Sequence, residues 1–88
     1  MELLKISSNS KPHALAGAIA NSIRKSNSVQ LQVIGAGSLN QAIKGIIIAR
    51  GYLAPNGIDI IVVPSFVDLD VQNVKKTGIR LLIETRQL

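Results

Sequence analysis

The sequence predicts an α/β two-layer sandwich with the element order β-α-β-α-β-β, in which both helices cover one face of a mixed four-stranded sheet. Two segments with helical spacing of apolar residues alternate with short β-branched segments, and two strand-like segments follow each other at the end of the chain. Hydrophobic residues make up 47% of the chain and aromatic residues only 2%, so the core must be built from aliphatic side chains.

The first half of the chain predicts a strand, a helix and a second strand. Leu3, Leu4 and Ile6 form a short apolar segment that the polar residues 7–10 end. A helix then begins near Pro12, because proline is tolerated in a first helical turn. Its apolar stripe recurs every four residues, at Leu15, Ile19 and Ile23.

Alternating apolar residues mark the second strand, which has one buried face and one wet face. In residues 29–33, valine or leucine alternates with Gln30 and Gln32. A glycine-containing turn at residues 35–37 precedes a second helix, predicted from Gly37 or Ser38 to about Tyr52.

The last third of the chain predicts two antiparallel strands. Residues 58–63 form an apolar, mostly β-branched run that Pro64 breaks, and residues 79–83 alternate between apolar and polar side chains. The polar segment at residues 68–78 is expected to be a loop or a hairpin arm between these strands.

Length and composition exclude several classes of protein. We expect residues 1–88 to form a single domain, because chains of this size build one core. The absence of cysteine excludes disulfides and thiolate metal sites, which leaves packing or self-association to stabilise so small a chain. No apolar run has the length of a signal peptide core or a membrane helix, so we expect a cytoplasmic protein with no membrane partner.

The charge is strongly basic. Ten lysine and arginine residues against five acidic residues give a formal net charge of +5, which favours nucleic acid or another anionic surface as a partner. The alternative is that the charge only forms a solvated surface that keeps the chain soluble.

Three consecutive isoleucines in the second helix predict self-association. At about 100° per residue, residues 46–48 span roughly 200° of the helix, which is too wide for one sheet-facing stripe. We expect the sheet to be covered by the residues Leu39, Ala42, Ile43, Ile46 and Ile47. Gly45, Ile48 and Tyr52 are then left for the interface of a homodimer or higher oligomer.

No pattern in the sequence predicts an enzyme, a cofactor or a metal site. The glycines at 35 and 37 lack the third glycine of a dinucleotide fingerprint, because Asn40 stands in its place. His13 is the only histidine, and no two carboxylates have a spacing that brings them together.

A simpler anion site is predicted at the start of the second helix. Ser38, Asn40 and Gln41 follow the turn, and Lys44 comes one helical turn later. Backbone amides at a helix N-terminus and a nearby ammonium group favour a phosphate or carboxylate. The alternative is that Ser38 caps the helix and that the amides belong to the surface.

Segments along the whole chain resemble the stage V sporulation protein S family. The resemblance is carried by MELLKIS (1–7), AGAIA (16–20), IGAGSLNQAIK (34–44), IARGYLAPNGID (48–59) and VPSF (63–66). It implies an Alba-like fold, whose element order is the one predicted above, and a regulatory role in spore-forming bacteria. Alba proteins are dimeric nucleic-acid binders, so the resemblance also implies DNA or RNA as a partner.

The resemblance carries over to individual residues only in part. Lys11 and Pro12 match the Lys-Pro pair with which Alba proteins contact the DNA backbone, but residues 35–42 lack every basic side chain of the Alba stretch they correspond to. The basic arm is shortened to roughly residues 67–77, where Lys75 and Lys76 stand beside two aspartates.

Two functions follow as expectations. The first is weak, sequence-independent nucleic-acid binding by the residues Lys11, Lys44, Lys75 and Lys76. We expect it to be weak because each phosphate contact that is lost relative to Alba lowers the affinity and makes the affinity less dependent on salt. The second is a protein-interaction scaffold in sporulation or cell division, in which the face of Gln30 and Gln32 or the second helix engages a protein partner.

Overall fold

The computed structural model describes residues 1–87 and confirms the predicted fold class. One sheet has the strand order β1-β2-β4-β3, with β1 parallel to β2 and the other neighbours antiparallel. The elements are β1 (Leu3–Lys5), α1 (Pro12–Ser26), β2 (Ser28–Val33), α2 (Ala36–Leu53), a short 3-10 helix (Ala54–Asn56), β3 (Ile58–Val71) and β4 (Val74–Gln87).

Helix α1 follows its predicted stripe. Pro12 occupies the first turn, where its missing N–H is not needed, and the residues Leu15, Ile19 and Ile23 are buried. The helix ends at Ser26, and the N–H of Asn27 still bonds to the carbonyl of Ile23. The left-handed φ of 64° at Asn27 then turns the chain out of the helix.

The sheet has one covered face and one open face, as the alternation predicts. Val29, Leu31 and Val33 are buried in the core with the helices, and Gln30 and Gln32 between them are only half-buried. The apolar face continues into β4, because Leu31 pairs with Leu81 and Val29 with Ile83.

Strand β3 is longer than predicted. It passes through Pro64 and continues to Val71, so the expectation of a break at Pro64 is wrong. Strand β3 lies at the edge of the sheet, where a proline without an N–H is tolerated. The polar segment is therefore a fully paired hairpin arm, closed by a two-residue turn in which Gln72 and Asn73 have φ of 52° and 64°.

The orientation of α2 differs from the prediction. Ala42 and Ile46 are buried as expected, but Ile43 and Ile47 are 41% and 62% exposed rather than facing the sheet. Gly45 is buried against helix α1, where an added Cβ would lie 2.8 Å from Cδ2 of Leu15. The close approach at Gly45 is thus between the two helices of one chain, and it turns Ile43 and Ile47 outward.

A carboxylate bridges the end of α2 to both strands of the hairpin. Oδ1 of Asp59 accepts a bond from Nε of Arg50 at 3.0 Å, and Oδ2 accepts one from Nη2 of Arg86 at 2.6 Å. The Asp59 side chain is only 6% exposed. The hydrogen bond from Arg86, then that from Arg50, and a backbone bond from Ile60 lower the pKa of Asp59 to about 2.

We expect Asp59→Asn to destabilise the protein most at neutral pH. Because the pKa of Asp59 lies below its ordinary value of 3.8, its contribution is complete above pH 4 and is lost as the pH falls toward 2. The urea midpoints of the wild type and of Asp59→Asn should therefore differ at pH 7 and approach each other as the pH falls to 2. Asp68→Asn, on the exposed arm, is the control, and a difference for Asp59→Asn that does not vary with pH would contradict this account.

Candidate nucleic-acid interface

Two exposed lysines lie near the start of α1. Lys11 is the residue before the helix and is exposed, as is Lys44 on the outer side of α2. Lys44 lines a shallow surface depression together with Pro12, His13 and Ile47, so the structure brings it next to the start of α1. Lysine side chains without an acidic neighbour can reach a phosphate, and neither Lys11 nor Lys44 has an ion pair among residues 1–87.

The side-chain amide of Gln41 is bonded within the protein and joins the two elements that carry Lys11 and Lys44. Its Nε2 donates to the carbonyl of Ser10 at 2.8 Å, which ties α2 to the loop that precedes α1. Since that loop positions Lys11, Gln41 fixes the relative placement of Lys11 and Lys44. Gln41 is half-buried, whereas Asn40 beside it is exposed.

The prediction of Ser38 as a contact needs correction. Ser38 is buried, at 3% exposure, and its Oγ donates to the carbonyls of Ile34 at 2.6 Å and Gly35 at 3.1 Å. Its hydroxyl is therefore used within the turn. Helix α2 begins after Gly35, whose φ of 87° suits glycine, and no side chain caps its first turn.

The two lysines of the hairpin arm point to opposite faces. Lys75 pairs across the strands with Asp70, and Lys76 pairs with Leu69. Because neighbouring residues on a strand alternate between faces, Lys75 and Asp70 share one face and Lys76 lies on the other. The structure therefore does not bring Lys75 and Lys76 together, and it places an acid opposite Lys75.

The arm carries no net charge. Its two lysines are balanced by Asp68 and Asp70, so the whole formal charge of +5 belongs to the rest of the molecule. One face of the arm is instead mainly apolar, since Lys76 shares it with the residues Val67, Leu69, Val71 and Val74. Phe66, near its base, is 82% exposed. Electrostatics thus favour the rest of the molecule, rather than the arm, as the phosphate-binding part.

The three residues predicted to form the oligomer interface lie in three different environments. Gly45 is buried under Leu15, Ile48 is half-buried against the core, and Tyr52 is 42% exposed near the end of α2. Gly45 therefore has no surface to offer a second subunit. The large aliphatic residues of α2 that face outward are Ile43 and Ile47, one helical turn apart.

Sequence reasoning missed a cationic row on the open face of the sheet. Lys5 pairs with Gln32 on β2, and Gln32 pairs with Arg80 on β4. The polar alternation around Gln32 and Arg80 indicates an open face, but the register that aligns them with Lys5 is not readable from the sequence.

Metal-ligand clusters and long apolar helices can be looked for in the described part of the chain. Within residues 1–87, no three histidine, cysteine or acidic residues cluster as metal ligands do. No helix in that range is long and apolar enough to cross a membrane. His13 is exposed at the start of α1.

Comparisons with known proteins agree with the fold and the motifs. The model of the family described as Stage V sporulation protein S matches residues 2–86 of the chain. The structure is similar to that of Alba from Thermoplasma volcanium, with a TM-score of 0.63 over 97% of this chain and 99% of that one. The identity between the two chains is 10%, so this likeness shows the fold alone.

Proposed function

The chain belongs to the stage V sporulation protein S family, and from this premise we propose that it is a cytoplasmic regulatory protein of sporulation. In this proposal it binds nucleic acid without reading its sequence, acts as an oligomer and catalyses no reaction.

The observation that carries the proposal is the pair of exposed lysines at the start of α1 and on α2. Lys44 lies on α2, and a hydrogen bond from Gln41 of the same helix holds the loop that leads into Lys11. Both lysines belong to the part of the molecule outside the arm, which carries the whole net charge. The fold shared with an Alba protein supports nucleic acid as the anionic partner. Phosphate contacts give affinity without sequence information, because only contacts to base edges distinguish one base pair from another.

Charge reversal of these lysines tests the proposal. Lys11→Glu and Lys44→Glu should each weaken duplex binding uniformly across sequences, and each should reduce the salt slope of the affinity by about 1. Fluorescence anisotropy with unrelated DNA and RNA duplexes measures both quantities. Lys25→Glu makes the same change in charge at the end of α1 and should have a smaller effect. Equal losses for all three variants would indicate a general charge effect and would remove the assigned site.

The proposed self-association uses the outward side of α2. Ile43 and Ile47 are one turn apart and exposed, and a second subunit would remove both from water. We expect Ile47→Glu to shift the protein toward the monomer in sedimentation velocity at micromolar concentration. Val74→Glu, at the tip of the arm, adds the same charge at another exposed apolar residue and should leave the oligomer intact. A wild-type protein that sediments as a monomer would remove this part of the proposal.

A protein-interaction scaffold is the second candidate, and the arm is the feature that favours it. The arm is neutral and one of its faces is mainly apolar, while Phe66 is exposed on the other face near its base. Both features suit a protein surface better than a phosphate backbone. If duplexes do not bind even at low salt, while a protein partner binds without salt dependence and loses affinity on Phe66→Ser, this candidate replaces the first.

A further inference from the structure

A cleft of about 540 Å³ lies where the parallel strands β1 and β2 end. It is bounded by the loop after β1, the first turn of α2 and the arm. Its polar lining includes Lys5, Ser8 and Gln32, and its apolar wall is formed by Ile34, Leu69 and Val71. Its volume is within the range of small-molecule sites, and the carboxyl ends of parallel strands commonly form such sites.

Hydrogen-bond donors dominate the side of the cleft at Lys5. Nη2 of Arg80 donates to Oε1 of Gln32 at 3.3 Å, which leaves the two N–H donors of the Gln32 amide for another partner. Lys5 has no ion pair within residues 1–87. Two cations, Lys5 and Arg80, thus flank Gln32 in one row across three strands.

One donor of Arg80 lacks an acceptor. Its Nε is inaccessible to water and has no hydrogen-bond partner among residues 1–87, although the side chain is only partly buried. A buried donor without an acceptor is costly, and a cation in that position is stabilised by a nearby negative charge. An anion seated at Lys5 and Gln32 would supply such a charge to the row.

We propose that this cleft binds a phosphate monoester, with the phosphate at Lys5 and Gln32 and the organic part against the wall formed by Ile34, Leu69 and Val71. The apolar wall separates such a ligand from inorganic phosphate, which would make only the polar contacts. Both a free mononucleotide and the 5′-phosphorylated end of a strand carry this chemistry. The site is distinct from the surface of Lys11 and Lys44.

Asp70 is an acidic residue of the cleft, and its substitution provides a second test of the proposal. Asp70 also lines the cleft, and its carboxylate lies across the arm from Lys75. Its charge should weaken binding of a phosphate. Asp70→Asn is therefore expected to tighten binding, the opposite direction from a substitution of Lys5.

Titration calorimetry and amide chemical shifts with AMP test the proposal. We expect shifts confined to the cleft, an affinity lowered about tenfold or more by Lys5→Gln, and an affinity raised by Asp70→Asn, since a hydrogen bond to a charged group is worth about 1.5–3 kcal/mol. Lys25→Gln, an equal change in charge on α1, should leave the affinity unchanged. Failure of AMP to bind, or equal effects of Lys5→Gln and Lys25→Gln, would overturn the assignment.

Further probes identify the source of the phosphate and separate the two sites. Adenosine and inorganic phosphate should bind more weakly than AMP, because each lacks one half of the ligand. A 5′-phosphorylated dinucleotide that binds more tightly than AMP would assign the cleft to strand ends, and the reverse order would assign it to free nucleotides. Lys5→Gln should leave the affinity for duplexes without a 5′-phosphate unchanged. The proposal for the cleft can therefore fail while the proposal for Lys11 and Lys44 stands, and the reverse is also possible.

Discussion

Replacing Leu31 by alanine is expected to destabilise the protein by about 2–5 kcal/mol. Leu31 is fully buried in the middle of β2 and pairs with Leu4 on β1 and with Leu81 on β4. Truncation removes apolar contacts at the point where the parallel and antiparallel parts of the sheet meet, and packed neighbours on three sides limit the collapse of the cavity. A loss of this size is a large part of the total stability of a small domain.

Urea unfolding at one fixed protein concentration measures this loss. The midpoint should fall while the slope with denaturant stays unchanged, because the fold is weakened but not altered. Gln30→Ala, on the open face of the same strand, is the control and should change stability by less than about 1 kcal/mol. If the two substitutions had equal effects, Leu31 would not lie in the core of the molecule.

Gly78→Ala is expected to cost about 1–3 kcal/mol and to loosen the arm. Gly78 is buried in β4 at the base of the arm, and an added Cβ would lie 2.8 Å from the carbonyl oxygen of Val33 and 2.9 Å from Cδ1 of Leu69. Leu69 can move, but the carbonyl belongs to the backbone of β2. The arm must therefore shift away from the end of β2, and amide hydrogen exchange should become faster in the arm.

Gly51→Ala provides the matched control for Gly78→Ala. Apart from its chain neighbours and the nearby backbone of its own helix, no atom of residues 1–87 lies within 4 Å of the position that a Cβ would take at Gly51, which is exposed in α2. Because alanine favours a helix over glycine by about 1 kcal/mol, this variant should be slightly more stable than the wild type. Wild-type stability and unchanged exchange in Gly78→Ala would show that the arm does not rest on the end of β2.

The sequence was sufficient to predict those helices and strands whose apolar residues mark a single buried face. The stripe of α1 and the alternation in β2 each fit a single buried face, and the structure confirms both. In α2, by contrast, apolar residues occur on several sides, and the sequence does not reveal that Gly45 lets Leu15 of α1 approach. That contact sets the rotation of the helix and leaves Ile47 exposed. Pro64 was misleading for a related reason, because its effect depends on whether the strand lies at an edge.

The candidate site was less predictable than the fold, because it depends on which polar atoms are already bonded. Ser38 and Gln41 have the residue types of an anion site, yet their side chains donate to carbonyls within the protein. Lys75 was predicted to contact phosphate, but the hairpin register places Asp70 opposite it. The row of Lys5 and Arg80 needs three strands in register, and no local pattern in the sequence encodes that alignment.

The salt dependence of duplex binding by the wild-type protein tests the central proposal most directly. If Lys11 and Lys44 bind phosphates, log affinity should fall linearly with log salt between about 50 and 200 mM, with a slope near −2 for two contacts and steeper for an oligomer. The same slope should be found for unrelated duplex sequences. Absence of binding at the lowest salt, or binding with a slope near zero, would contradict nucleic-acid binding through this surface.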